Sequence, residues 1–117
     1  MAQLTLDHVI TEDQFLDLVD TAGYAIGYWA DRAEVHWGAT DKKYSVWEDD
    51  DDNTRHDITP AMVEQAMVDI HTGKIDVRRD IVKSITDAIL AGDCDDIDGE
   101  AADVIIQVAA FGEIVYG

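Results

Sequence analysis

Tyr24-Ala-Ile-Gly-Tyr-Trp-Ala-Asp-Arg-Ala-Glu-Val-His-Trp37, followed by Lys43-Tyr-Ser-Val-Trp-Glu48, is the stretch that decides the fold class. It is dense in aromatic and β-branched residues, the types that fit a pleated, half-buried surface. All three Trp and three of the four Tyr of the chain fall between positions 24 and 47. We read a strand near 25–37, interrupted or bulged at Gly27, a second strand near 43–48, and a short third one over 55–58. Residues 38–41 and 49–53 supply the turns between them.

Working outward, the flanks change period. Before the aromatic block, Thr11 and Gln14 have the spacing of a capping box. Phe15, Leu18, Val19 and Ala22 then recur at helical intervals, predicting a helix over 12–22 that Gly23 can end. After the block, Thr59 caps a second helix with Pro60 in its first position, and Met62, Val63, Ala66, Met67 and Ile70 form its stripe. Gly73 ends it. Asp76 is the expected cap of a third helix, whose stripe is Val77, Ile81, Ile85, Ala88 and Ile89, ending near Gly92. Asp98 caps a fourth, from about 99 to 111. Its run Val104, Ile105, Ile106, Val108, Ala109, Ala110 and Phe111 is apolar nearly all round, so this helix should be the most buried. Gly112 ends it, and the tail 113–116 must dock on the core or pair as a strand. The expected fold is α+β: an N-terminal helix, a small antiparallel sheet of about three strands, then three helices packed on it, in a single domain spanning 1–117.

Charge bounds the function. The chain carries 26 Asp and Glu, of which 20 are Asp, against eight Lys and Arg, for a formal net charge of −18. Such a field opposes direct binding of nucleic acid or of an anionic membrane, and attracts basic surfaces on other proteins. A GC-rich genome or a salt-adapted proteome would produce the same composition. The single cysteine, Cys94, excludes an internal disulfide, and its Asp neighbours oppose a reactive thiolate. The N-terminus has no basic, apolar leader pattern and no run is long enough to span a membrane, so a cytoplasmic location is expected.

No cluster spells out a reaction. Asp49, Asp50, Asp51 and Asp52 follow Glu48, but an EF-hand counted from Asp49 would need glycine where Thr54 stands and glutamate where Pro60 stands. Asp93, Asp95 and Asp96 open a second acidic run, in which Ile97 takes a ligand place and Gly99 comes one residue late. We read the first as a solvated hairpin tip and the second as capping charge at a helix N-terminus. His8, His36, His56 and His71 have no metal-ligand spacing, although His36 and His56 sit on predicted strands where they can meet across the sheet. No nucleophile elbow and no phosphate-cradling loop occurs. We therefore expect no enzymatic activity, no cofactor and no metal. Lys74, Arg78, Arg79 and Lys83 bracket a helix junction in 60–91 as in a helix-turn-helix, but local salt bridging accounts for them and the overall field opposes DNA.

The segments Thr21-Ala-Gly-Tyr-Ala-Ile-Gly-Tyr-Trp-Ala30 and Val104-Ile-Ile-Gln-Val-Ala-Ala-Phe-Gly-Glu-Ile-Val-Tyr-Gly117 resemble small acidic proteins of unknown function encoded by actinobacteria and their bacteriophages. The resemblance implies a phage or mobile-element setting. It brings no site residues.

The sequence thus points to a non-enzymatic protein that binds a host or phage protein with a basic surface. The sharper form is mimicry of nucleic acid, inhibiting a DNA- or RNA-binding protein. The acidic recognition residues would be Asp13, Asp17 and Asp20 on one face of the first helix, Asp49–Asp52, and Asp93, Asp95 and Asp96, with Asp98 and Asp103 continuing the last row. The alternative is a scaffold or oligomerisation module using an exposed aromatic sheet face of Tyr28, Trp29, Trp37 and Trp47. Oligomeric state is left open.

Overall fold

A computed structural model of the chain describes residues 11–38, 42–91 and 97–116. The α+β order is as expected. Helix α1 (Glu12–Ala25) leads to strands β1 (Ala30–Trp37), β2 (Lys42–Glu48) and β3 (Arg55–Ile58), then to helices α2 (Pro60–His71), α3 (Arg79–Ala91) and α4 (Gly99–Phe111). The sheet is an antiparallel meander with β2 in the middle.

Helix α1 begins at its capping box: Thr11 Oγ1 accepts from the Gln14 amide, and Gln14 Oε1 accepts from the Thr11 amide. It does not stop at Gly23. Ile26 continues the Phe15, Leu18, Ala22 stripe at helical spacing and is buried, so the helix runs on to Ala25 and tightens into a 3₁₀ turn over Ile26–Tyr28. The expected strand over 25–37 therefore starts only at Ala30. Its irregularity lies at Asp31, where β1 carries one residue more than β2 between the pairs Ala30–Glu48 and Arg32–Trp47.

Beyond that bulge the alternation is regular. Ala33, Val35 and Trp37 share a face with Tyr44, Val46, Glu48, His56 and Ile58; Tyr44, Val46 and Ile58 join the helices in one core. Arg32, Glu34, His36, Lys43, Ser45, Trp47, Arg55 and Asp57 occupy the opposite face. His36 and His56 thus point to opposite sides and do not meet.

Helix α4 is the hub. Residues 101–108 are all buried, and the helix packs on α1, α2, α3 and β3. Asp98 Oδ1 caps it by accepting from the Ala101 amide at 2.9 Å, and Gly112 closes it in the left-handed conformation at φ 77°. Thr59 caps α2 as expected, with the Met62 sulfur in place of a capping-box carboxylate. Helix α3 starts at Arg79, two residues after a helix capped by Asp76 would begin. Val77 instead packs against the core ahead of the first turn, and Val82 bonds back to the Arg78 carbonyl.

The hub predicts where stability concentrates. Ile105→Ala should cost about 2–5 kcal/mol in a urea melt. Leu90→Ala, at a side chain 79 % exposed, should change the midpoint by no more than about 0.5 kcal/mol equivalent.

Candidate functional site

Most of the cations are spent inside the molecule. Arg32 pairs with Glu34, Lys42 with Glu12, Lys43 and Arg55 with Asp57, Arg78 with Asp80 and Glu100, and Lys83 with Asp87. The seven residues 72–78 between α2 and α3 exceed the three- or four-residue turn of a helix-turn-helix. Two of the four cations in 74–83 face carboxylates of this chain.

The carboxylates expected to form the acidic surface divide by location. Asp13, Asp17 and Asp20 are exposed on α1. Asp49–Asp52 form the exposed tip of the β2–β3 hairpin. Asp50 is used there for structure, accepting from the Thr54 amide and hydroxyl, while Asn53 turns the chain at φ 45°. Asp13, Asp17, Asp20, Asp49, Asp51 and Asp52 make no ion pair with any described residue. Asp93, Asp95 and Asp96 lie outside the described residues, as do Cys94 and His8. Among the described residues no group of three or more His, Cys, Asp or Glu is placed to hold a metal ion.

Asp103 does not continue an exposed acidic row. It is 8 % exposed. Its Oδ1 accepts from the Trp29 indole at 2.8 Å and from Gln107 Nε2 at 3.0 Å, and its Oδ2 accepts from the Tyr28 hydroxyl at 2.5 Å. Gln107, 1 % exposed, extends the network to the tail: its Oε1 accepts from the amides of Val115 and Tyr116, and its Nε2 donates to the Tyr116 carbonyl. The Tyr116 ring stacks on Trp29 at 5.3 Å, and its hydroxyl donates to Glu48 Oε1 at 2.6 Å. The second Glu48 oxygen lies 2.8 Å from His56 Nε2. The tail therefore docks on the core and pairs with no strand.

The aromatic residues do not make one exposed face. Trp29 is buried against Phe111 and Tyr116, and Trp37 stacks on Phe15. Trp47 lies on the opposite side of the sheet, with the Arg32 guanidinium 3.9 Å and that of Arg55 5.3 Å from its ring centroid. Tyr28 belongs to the 3₁₀ turn. Alternation separates Trp37 from Trp47, and the turn removes Tyr28 and Trp29 from the strand.

Two grooves accompany these elements. One, about 320 Å³, runs between α1 and β1 along Leu16, Val19, Asp20, Tyr24 and Val35. The other, about 230 Å³, has Tyr28, Asp103 and Gln107 among its lining residues. No family model, no curated protein and no solved structure matches the chain.

Two tyrosines give the fold an alkaline limit. Burial, then the hydrogen bond to and charge of Asp103, push the Tyr28 phenol up to about 12, although its ring is half exposed. Burial, then the charge of Asp20, push Tyr44 up to about 12. Unfolded tyrosines lose their protons near pH 10. The stability linked to both phenols is intact below about pH 10 and is lost as pH rises towards about 12. Thermal melts at pH 9 and about pH 11 should show this fall, with phenolate absorbance appearing together with unfolding. Gln107→Leu should cost about 1–3 kcal/mol and speed amide exchange at Val115 and Tyr116 selectively.

Proposed function

We propose that this is a non-enzymatic binding protein that engages a basic surface on another protein through the β2–β3 hairpin tip and the outer face of α1. The observation that carries this reading is the unequal pairing of charge. Six of the eight Lys and Arg are held in ion pairs within the fold, while Asp13, Asp17, Asp20, Asp49, Asp51 and Asp52 have no cation among the described residues. Their field extends into solvent and lowers the energy of a docked cationic surface.

A nucleic-acid-binding protein, of a host or of a phage, is the partner class that presents such a surface. Its groove is built to receive a rod with about one charge per 1.7 Å of axis. Carboxylates on a rigid helix and a tight hairpin are held in place before binding, so less ordering entropy is lost on association.

The test is capture of partners from a host lysate as salt rises from about 0.1 M to about 1 M, which shortens screening from about 10 Å to about 3 Å. Partners held by the acidic surface should leave over this range and should be displaced by excess duplex DNA. The triple change Asp49→Asn, Asp51→Asn, Asp52→Asn should weaken a captured partner. At about 0.2–1 kcal/mol per exposed pair, the loss is roughly 3- to 150-fold in Kd. An empty capture at low salt, or one indifferent to both salt and the triple change, would sink the reading.

A further inference from the structure

The buried carboxylate of Asp103 lines a cavity of about 230 Å³ and has no cationic partner among the described residues. Buried charges in proteins are ordinarily paired with an opposite charge or a metal. Here three neutral donors hold it: the Trp29 indole, the Tyr28 hydroxyl and the Gln107 amide. A carboxylate offers about four acceptor positions, so roughly one remains open.

The rest of the cavity matches an alkyl cation. Its walls include Val77, Ile81, Val104 and Ile114, which can take a methylene stem. The half-exposed Tyr28 is also among the lining residues and adds an aromatic ring beside the carboxylate its hydroxyl bonds. At the rim stand Arg78 and Glu100. Arg78 is the one cation here, and it is more than neutralised: it is tied to both Glu100 and Asp80, so the three residues together carry −1. With Asp103 the local balance is −2.

We propose that this cavity is an anchor pocket for a lysine or arginine side chain of the basic partner, with Asp103 receiving the charged head and the apolar walls the stem. The inference rests on the acidic-surface reading for its source of the side chain and deepens it: the hairpin and α1 supply long-range attraction, and the pocket supplies a directional contact. An anchor that fills a desolvated pocket at the end of an attractive surface is how a few residues come to dominate an interface.

The pocket can be tested without the partner, using n-butylammonium as the probe. The Trp29 indole N–H donates to Asp103 Oδ1 and so reports directly on that carboxylate, while the indoles of Trp37 and Trp47 lie elsewhere and serve as internal references. At constant ionic strength, ¹H–¹⁵N spectra should show a saturable shift of the Trp29 indole with n-butylammonium, none with n-butanol, and little movement of the other two. Asp103→Asn should raise the midpoint at least about tenfold, since a hydrogen bond to a charged group is lost. Should that variant fail to fold, Ile114→Phe enlarges a lining side chain without removing any member of the Asp103 network, and should weaken the response severalfold. A Trp29 response that is absent, or non-saturable, or equal in all three indoles, or unaffected by Ile114→Phe, overturns the proposal. The two readings fail separately. A Trp29 response with an empty low-salt capture removes the acidic-surface reading alone, and a salt-sensitive capture with no Trp29 response removes the pocket alone.

Discussion

The structure depends on one carboxylate in its most apolar helix. Asp103 sits within a buried run of α4, where an unsatisfied charge would cost several kcal/mol. Meeting that requirement constrains three other parts of the chain at once. The 3₁₀ turn must bring the Tyr28 hydroxyl and the Trp29 indole to it. Gln107, one helical turn on, must face the same way. The last residues must then fold back, because the remaining Gln107 groups are matched to the backbone of Val115 and Tyr116. Hydrophobic burial alone is non-directional and would accept several registers of α4 against α1 and the sheet. The hydrogen-bonded carboxylate accepts few, because sliding the helix would strand it.

This explains what the sequence makes legible and what it conceals. Caps and periodicity give α1, α2 and α4, because Thr11, Thr59, Asp98 and Gly112 act locally. The three strands are legible from β-branched and aromatic density. The strand start at Ala30 is not, since Ile26 serves a helical stripe and a strand pattern equally well until the assembled core buries it. The α3 start is hidden for a related reason: Asp76 is a good cap in isolation, yet Val77 is drawn to the core before the helix begins. Asp103 and Gln107 carry a signal that composition drowns. They are two polar residues four apart, hence on one face, in a helix with almost no other polar interior. In a chain with 20 aspartates, one more reads as surface. The acidic tip and the α1 row were legible, because an exposed charge block needs no tertiary information to be recognised.

The cations show a division of labour that the net charge hides. Arg78 ties the start of α3 to α4, Lys42 ties β2 to α1, and Arg55 with Lys43 holds Asp57 at the sheet edge. In the last case the Ser45 hydroxyl and then Arg55 keep the Asp57 carboxyl below its ordinary range. Each of these pairs is partly or largely exposed and contributes little singly. Their value lies in position, because they sit at junctions between elements and bring their own carboxylates with them.

Of the carboxylates left over, six lie on the outer face of α1 and at a hairpin tip whose turn is already secured by Asp50 and Asn53, while Asp31, Asp76 and Glu113 stand elsewhere on the surface. Stability rests on α4, its buried network and the α1 face packed on it, while the unpaired carboxylates of α1 and the hairpin tip take no part in that network. The Asp103 cavity is the place where the two meet: it draws its carboxylate from the structural network and opens beside the charged rim of Arg78 and Glu100. Gln107 and Tyr116 also line it, so a ligand bound there would be coupled to the docking of Val115 and Tyr116 through the same hydrogen bonds.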